Sequence, residues 1–120
     1  MATFSKTILS QSSDGRGVLV SATATAGTLI HTGSTTATTI DEVWLYAVNT
    51  SASDVKLTIE WGEATAPNGN IEYTVKAENG LYLIVPGLLI KGNATALTIK
   101  AFAATGNVIV LHGYVNKITA

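Results

Sequence analysis

The chain has 120 residues, 47% of them hydrophobic and only 12% charged, with a formal net charge of -1. Such a length makes one domain with a single core, and a balance this close to neutral lacks the basic field that a phosphate backbone requires, which excludes nucleic acid as the expected partner. No cysteine is present, so disulfides, thiolate nucleophiles and zinc-thiolate centres are excluded together.

In chain order, the opening MATFSKTILSQSS has one lysine and no apolar run of the length a secretory signal needs. No later run approaches the roughly 20 residues of a membrane span. The expectation is a protein made in a cytoplasm, with no membrane partner. SQSSDGRG at 10–17 is polar and glycine-bearing. Residues 1–16 are therefore expected to be a short polar N-terminal arm, ordered only where it lies on something, with a β domain over 17–120.

Period-two patterning then dominates. Candidate strands are GVLVSAT (17–23), TLIHT (28–32), IDEVWLYAVN (40–49) and DVKLTIEW (54–61). In the last of these Val55, Leu57, Ile59 and Trp61 share one face, and Lys56, Thr58 and Glu60 the other. NIEYTVKA (70–77) repeats the pattern after GEATAPNGN, whose Pro67, Asn68 and Gly69 suit a hairpin or wide loop. Asn79-Gly80 has the chemistry of a tight turn before LYLIV. Pro86-Gly87 then interrupts an apolar region, so LLI at 88–90 is expected to be a short extra strand or a bend. TALTIKAF (95–102) and NVIVLHGYV (107–115) close the series. No window carries a helical stripe. The fold expected is all-β: a single antiparallel sandwich or jelly-roll-like domain of about eight strands, with a small barrel as the third arrangement the pattern allows.

Groups able to do chemistry are sparse. His31 and His112 are the sole near-neutral bases. LIHTGST around the first lacks a nucleophile elbow, and neither has a neighbouring ligand at metal spacing. Glu60, Glu63, Asn68, Asn70 and Glu72 place oxygen donors around one loop, but without calcium-loop spacing, so a solvated turn is expected. Asp41 and Glu42 are adjacent and point to opposite faces, a poor acid/base pair. The sequons at Asn49 and Asn93 are read as coincidence. No catalysis, cofactor or metal is expected. Trp44, Tyr46, Trp61, Tyr73, Tyr82 and Tyr114 could stack on sugars; Trp61 sits on a clean inward face and reads as core, whereas Trp44, Tyr46 or Tyr82 could serve a carbohydrate-binding module.

Three strands are apolar on both faces. In the last, Val108, Val110, His112 and Tyr114 lie on one side, Ile109, Leu111 and Val115 on the other; IDEVWLYAVN and LYLIV behave alike. Low charge and two-sided strands suggest that a sheet face is covered by other protein.

The ending AATGNVIVLHGYVNKI, residues 103–118, resembles the close of many small tailed-phage virion proteins: an Ala/Gly-rich turn, a last strand of valines, a Gly-Tyr or Gly-Phe step, and a basic residue before Ile. His112 stands where such endings more often carry phenylalanine. The short arm and the Thr- and Ala-rich β domain match the character of capsid decoration, or cement, proteins. The resemblance implies a bacteriophage virion structural protein on the capsid surface, assembled in the host cytoplasm as a homotrimer that clamps the major capsid protein. Trp44, Tyr46, Val110, His112 and Tyr114 are the interface residues expected. A tail, neck or baseplate component is the rival within virions, and a glycan-binding module the rival outside that class.

Overall fold

A computed structural model describes residues 2–120. Among them are nine strands: β1 (Thr3–Ile8), β2 (Val18–Val20), β3 (Thr28–Thr32), β4 (Thr39–Asn49), β5 (Val55–Trp61), β6 (Asn70–Val75), β7 (Tyr82–Lys91), β8 (Thr98–Ala103) and β9 (Ile109–Thr119). They form two antiparallel sheets. One is five-stranded, in the order β1-β9-β4-β7 with β2 also on β9; the other is four-stranded, in the order β3-β8-β5-β6. The protein is sandwich-like, as expected, and its two separate sheets exclude the closed barrel that periodicity also allows.

The alternation along β4 shows why the layers form. Val43, Leu45 and Ala47 are wholly buried, while Trp44, Tyr46 and Val48 between them are half-buried on the other face. Ile109, Leu111 and Val115 of β9, Leu57 and Ile59 of β5, and Ile99 of β8 complete the middle of the core. Each such Leu or Ile contributes about 1.5–3 kcal/mol relative to an exposed one. The chain exposes 6242 Å², close to the roughly 6,100 Å² expected of a folded monomer of this mass. The core is therefore closed within one chain, and the apolar surplus is a matter of which face carries it.

Four sequence expectations change in detail. Residues 3–8, read as an arm, are a strand along β9, in register from Thr3↔Thr119 to Ile8↔Tyr114. This is the ninth strand, and what it lies on is its own chain. LYLIV and LLI are one continuous β7, which passes through Pro86 because the strand is at an edge, where a missing N–H breaks no ladder. Register shifts flank Trp44 and Leu45 opposite this bend. At Gly87, φ is 80° and a Cβ would lie 2.9 Å from the Trp44 ring, so glycine is needed both for the turn of the backbone and for the indole that rests on it.

Asn79-Gly80 does not close a hairpin, because β6 and β7 belong to different sheets and the segment carries the chain across the sandwich. Positive φ falls on Glu78 and Gly80, and the crossing is held by the Glu78 amide donating to Asn49 O and the Ala77 amide donating to Asp54. Finally, Thr58 and Glu60, on the polar face of β5, are buried. The segment after β2 folds over them: the Gly27 amide donates to one Glu60 oxygen at 2.7 Å, and the Thr25 hydroxyl donates to the other.

Candidate functional site

The outer face of the five-stranded sheet carries five of the eight large apolar or aromatic residues that are exposed among the described residues, Phe4, Ile8, Leu19, Leu83 and Leu89. Strand register places side chains in rows across it. Phe4, Ile118, Ile40 and Lys91 form one row; Lys6, Asn116, Glu42 and Leu89 the next; Ile8, Tyr114, Trp44 and Pro86 the third; His112, Tyr46 and Leu83 the fourth; Leu19, Val110 and Val48 the last. All five residues expected at an interface, Trp44, Tyr46, Val110, His112 and Tyr114, lie on this face, in three adjacent rows. Its edges are the most exposed: Phe4 at 71%, Ile8 at 48%, Leu19 at 47% and Leu89 at 52%.

The middle of the face is organised around Glu42. Its Oε1 accepts from Trp44 Nε1 and from Asn116 Nδ2, both at 2.8 Å. The Asn116 bond, then the Trp44 bond, lower the Glu42 pKa, since each favours the charged form. The Trp44 and Tyr114 rings stack with centroids 5.9 Å apart and planes within 9°, and Lys6 Nζ lies 4.7 Å from the Tyr114 ring centre. A groove of about 370 Å³ runs beside this cluster, lined by Phe4, Ser5, Lys6, Glu42, Asn116 and Ile118. At the other end the Val110 and His112 side chains lean over Gly17, which precedes β2 alongside β9: a Cβ on Gly17 would lie 2.4 Å from a Val110 methyl and 2.8 Å from the His112 ring. His112 is thus a half-buried wall residue packed beside Gly17.

Sequence reasoning did not assign Phe4, Lys6 and Ile8 to this face. Their alternation is visible in FSKTI, but the polar residues around it read as an arm. Asp41 and Glu42 do point to opposite faces. Asp41 is buried between the sheets, where Oδ2 lies 2.8 Å from His31 Nε2 and Oδ1 accepts from Lys117 Nζ at 3.0 Å. His31 Nδ1 accepts the Ser10 amide hydrogen at 3.0 Å, which leaves Nε2 as the nitrogen that donates to Asp41. Ser10 Oγ in turn accepts from the Thr32 amide. Ser10, His31 and Asp41 are the residue types of a hydrolase triad, but here the imidazole faces the serine's backbone amide. Both ring nitrogens are occupied and the residue is buried, so the arrangement clasps two sheets and a connection. His31 and His112 do not converge: the first lies between the sheets, the second on the outer face.

The loop between β5 and β6 also separates its oxygen donors, because Glu60 turns to Thr25 and Gly27. Among the described residues no group of three or more His, Asp or Glu side chains is placed to hold a metal ion. Asn49, in a formal sequon, is buried and its Nδ2 donates to Ser53 O and Val75 O, which leaves no amide hydrogen free. Comparison with family models, with curated proteins and with solved structures finds no match.

Proposed function

We propose that the protein is a virion structural protein of the capsid-decoration kind, which acts by burying the outer face of its five-stranded sheet against other protein. One observation carries the interaction: an apolar, aromatic face with Phe4, Ile8, Leu19 and Leu89 about half exposed or more, on a domain whose core is already complete without it. A monomer gains nothing by displaying such a patch, and patches of this kind mark protein interfaces. The assignment to a virion rests on the resemblance of residues 103–118 to the endings of phage structural proteins.

The mechanism is mechanical. Apolar area removed from water contributes about 25 cal/mol per Å², and several such contacts in one symmetric assembly release slowly because each holds the others at high effective concentration. A protein that binds only the assembled shell stabilises that shell by mass action. Purified protein mixed with mature empty heads is expected to decorate them and to raise their thermal tolerance; failure to bind any shell would sink the proposal. Labelling in intact particles separates head from tail, neck or baseplate.

A glycan platform is less well supported. The Trp44 ring rests on Gly87 and Tyr114 with its N–H committed to Glu42, Lys6 lies over Tyr114, and Tyr82 stacks on Tyr73 with centroids 5.2 Å apart. Two of the three aromatics named for a sugar platform, Trp44 and Tyr82, are thus engaged with other side chains of the chain.

A further inference from the structure

We infer that the outer face is covered in solution by a second copy of this chain, related by a two-fold axis that runs parallel to the strands over β9. This rests on the proposal that the face is buried against other protein, and names a second copy as that protein, so that a shell is held by the remaining surfaces of the pair.

Charge leads to the axis. Lys6 and Glu42 lie in the same row, on the strands either side of β9, about 10 Å apart at ordinary strand spacing. Neither has an ion-pair partner among the described residues, and Lys6 is held on this face only against the Tyr114 ring. Glu42 uses Oε1 for Trp44 and Asn116, and among the described residues its Oε2 has no hydrogen-bond partner. An unpaired ammonium and an unpaired carboxylate on an apolar face are costly to bury separately and favourable to bury together.

A two-fold axis along the strands keeps each row at its own height and exchanges the two sides of β9. Stacking two such faces therefore sets β1 of one copy over β4 of the other. Lys6 meets Glu42 of the second copy, and Glu42 meets its Lys6, so one operation pairs both charges twice. The same operation sets Phe4 over Ile40, Ile8 over Trp44 and Leu19 over Val48 of the second copy, all apolar. No shift of the axis by one strand achieves this: over β4 it would set Lys6 beyond the sheet, and midway between β9 and β4 it would set Lys6 on Leu89. The contact is isologous, as closed pairs require.

The overlap is three strands wide and about nine residues long, a flat footprint of about 400 Å² per copy. That is small for a stable pair, so association is expected toward the high end of protein concentration.

Sedimentation or light scattering over a wide concentration range tests the pairing, with circular dichroism to confirm folding. The wild-type chain is expected to form dimers. Lys6→Glu and Glu42→Lys are each expected to weaken association about a hundredfold or more, since like charges then face each other twice. An equimolar mixture of the two variants is expected to dimerise again, because each carries the charges the other needs. Glu42→Gln, which retains an acceptor for Trp44 and Asn116, is expected to weaken pairing less. The inference is overturned by a wild-type chain that stays monomeric, by a mixture that stays monomeric, or by a wild-type trimer indifferent to either charge. If heads are still decorated in those cases, the pairing alone is lost; if they are not, the proposed function falls with it.

Discussion

His31 of β3 and Asp41 of β4 meet across the sandwich, Nε2 to Oδ2 at 2.8 Å with side chains 5% and 1% exposed, and Lys117 of β9 closes on the other oxygen. At the far end of β4, Asn49 does the same work with neutral groups, donating to Val75 O of the opposite sheet. Between these polar clasps β4 presents Val43, Leu45 and Ala47 to the core. Apolar residues thus supply most of the adhesion between layers, while the clasps fix how one layer sits on the other.

Asp41→Ala leaves His31 and Lys117 without their shared acceptor. Breaking a buried, hydrogen-bonded pair on one side costs about 3–5 kcal/mol, which in a domain of this size lowers Tm by more than about 10 °C. Thermal and denaturant melts measure it. A loss below about 1 kcal/mol would show that the clasp contributes little.

Gly113→Ala tests why the closing strand needs its glycine. A Cβ there would lie 2.0 Å from the Trp44 carbonyl oxygen on the neighbouring strand, a backbone contact that no rotamer can relieve. β4 and β9 must separate locally, and the variant is expected to be recovered unfolded or with its melt lowered by more than about 3 kcal/mol. A folded Gly113→Ala chain with wild-type stability would show that the two strands are not so closely apposed.

Glu60→Ala removes both acceptors that hold the Thr25–Gly27 segment against β5. A loss of about 1–3 kcal/mol is expected. The more local signature is faster hydrogen exchange at the Gly27 amide, with Glu60→Gln in between. Unchanged protection of that amide in Glu60→Ala would mean that the segment is held by other contacts.

The pH dependence of stability should report Glu42. Hydrogen bonds from Asn116 and Trp44 put its folded pKa below the ordinary value. A depressed carboxylate contributes stability that is fully present above its unfolded value, about 4.3, and is lost as pH falls through the folded value. The Tm difference between wild type and Glu42→Gln should therefore be constant from about pH 7 to 5 and shrink below about pH 4. Asp54, also lowered, is common to both chains and cancels. A difference that stays flat down to pH 3 would mean that the Glu42 bonds do not favour its ionised form.

Much of this architecture is local and could be read directly. Alternation in DVKLTIEW and IDEVWLYAVN requires extended chain with one covered face, and NVIVLHGYV and LYLIV announce two, because side chains at period two have only two places to go. The opposite facing of Asp41 and Glu42 follows from the same geometry. What lies on either face is not local. FSKTI reads as an arm because Ser5, Lys6 and Thr7 carry no apolar stripe, yet backbone hydrogen bonds to β9 are indifferent to side chains and make it a strand. Glu60 reads as solvent-facing because its neighbours Lys56 and Thr58 are polar, yet a segment more than thirty residues away in the sequence folds over it with a free amide and a hydroxyl. Asn79-Gly80 has hairpin chemistry, but which sheet receives the next strand is decided by packing across the sandwich. Amino-acid order determined the strands and the parity of each side chain; tertiary structure decided which rows met, since pairing register and layer contacts join residues that no local period connects.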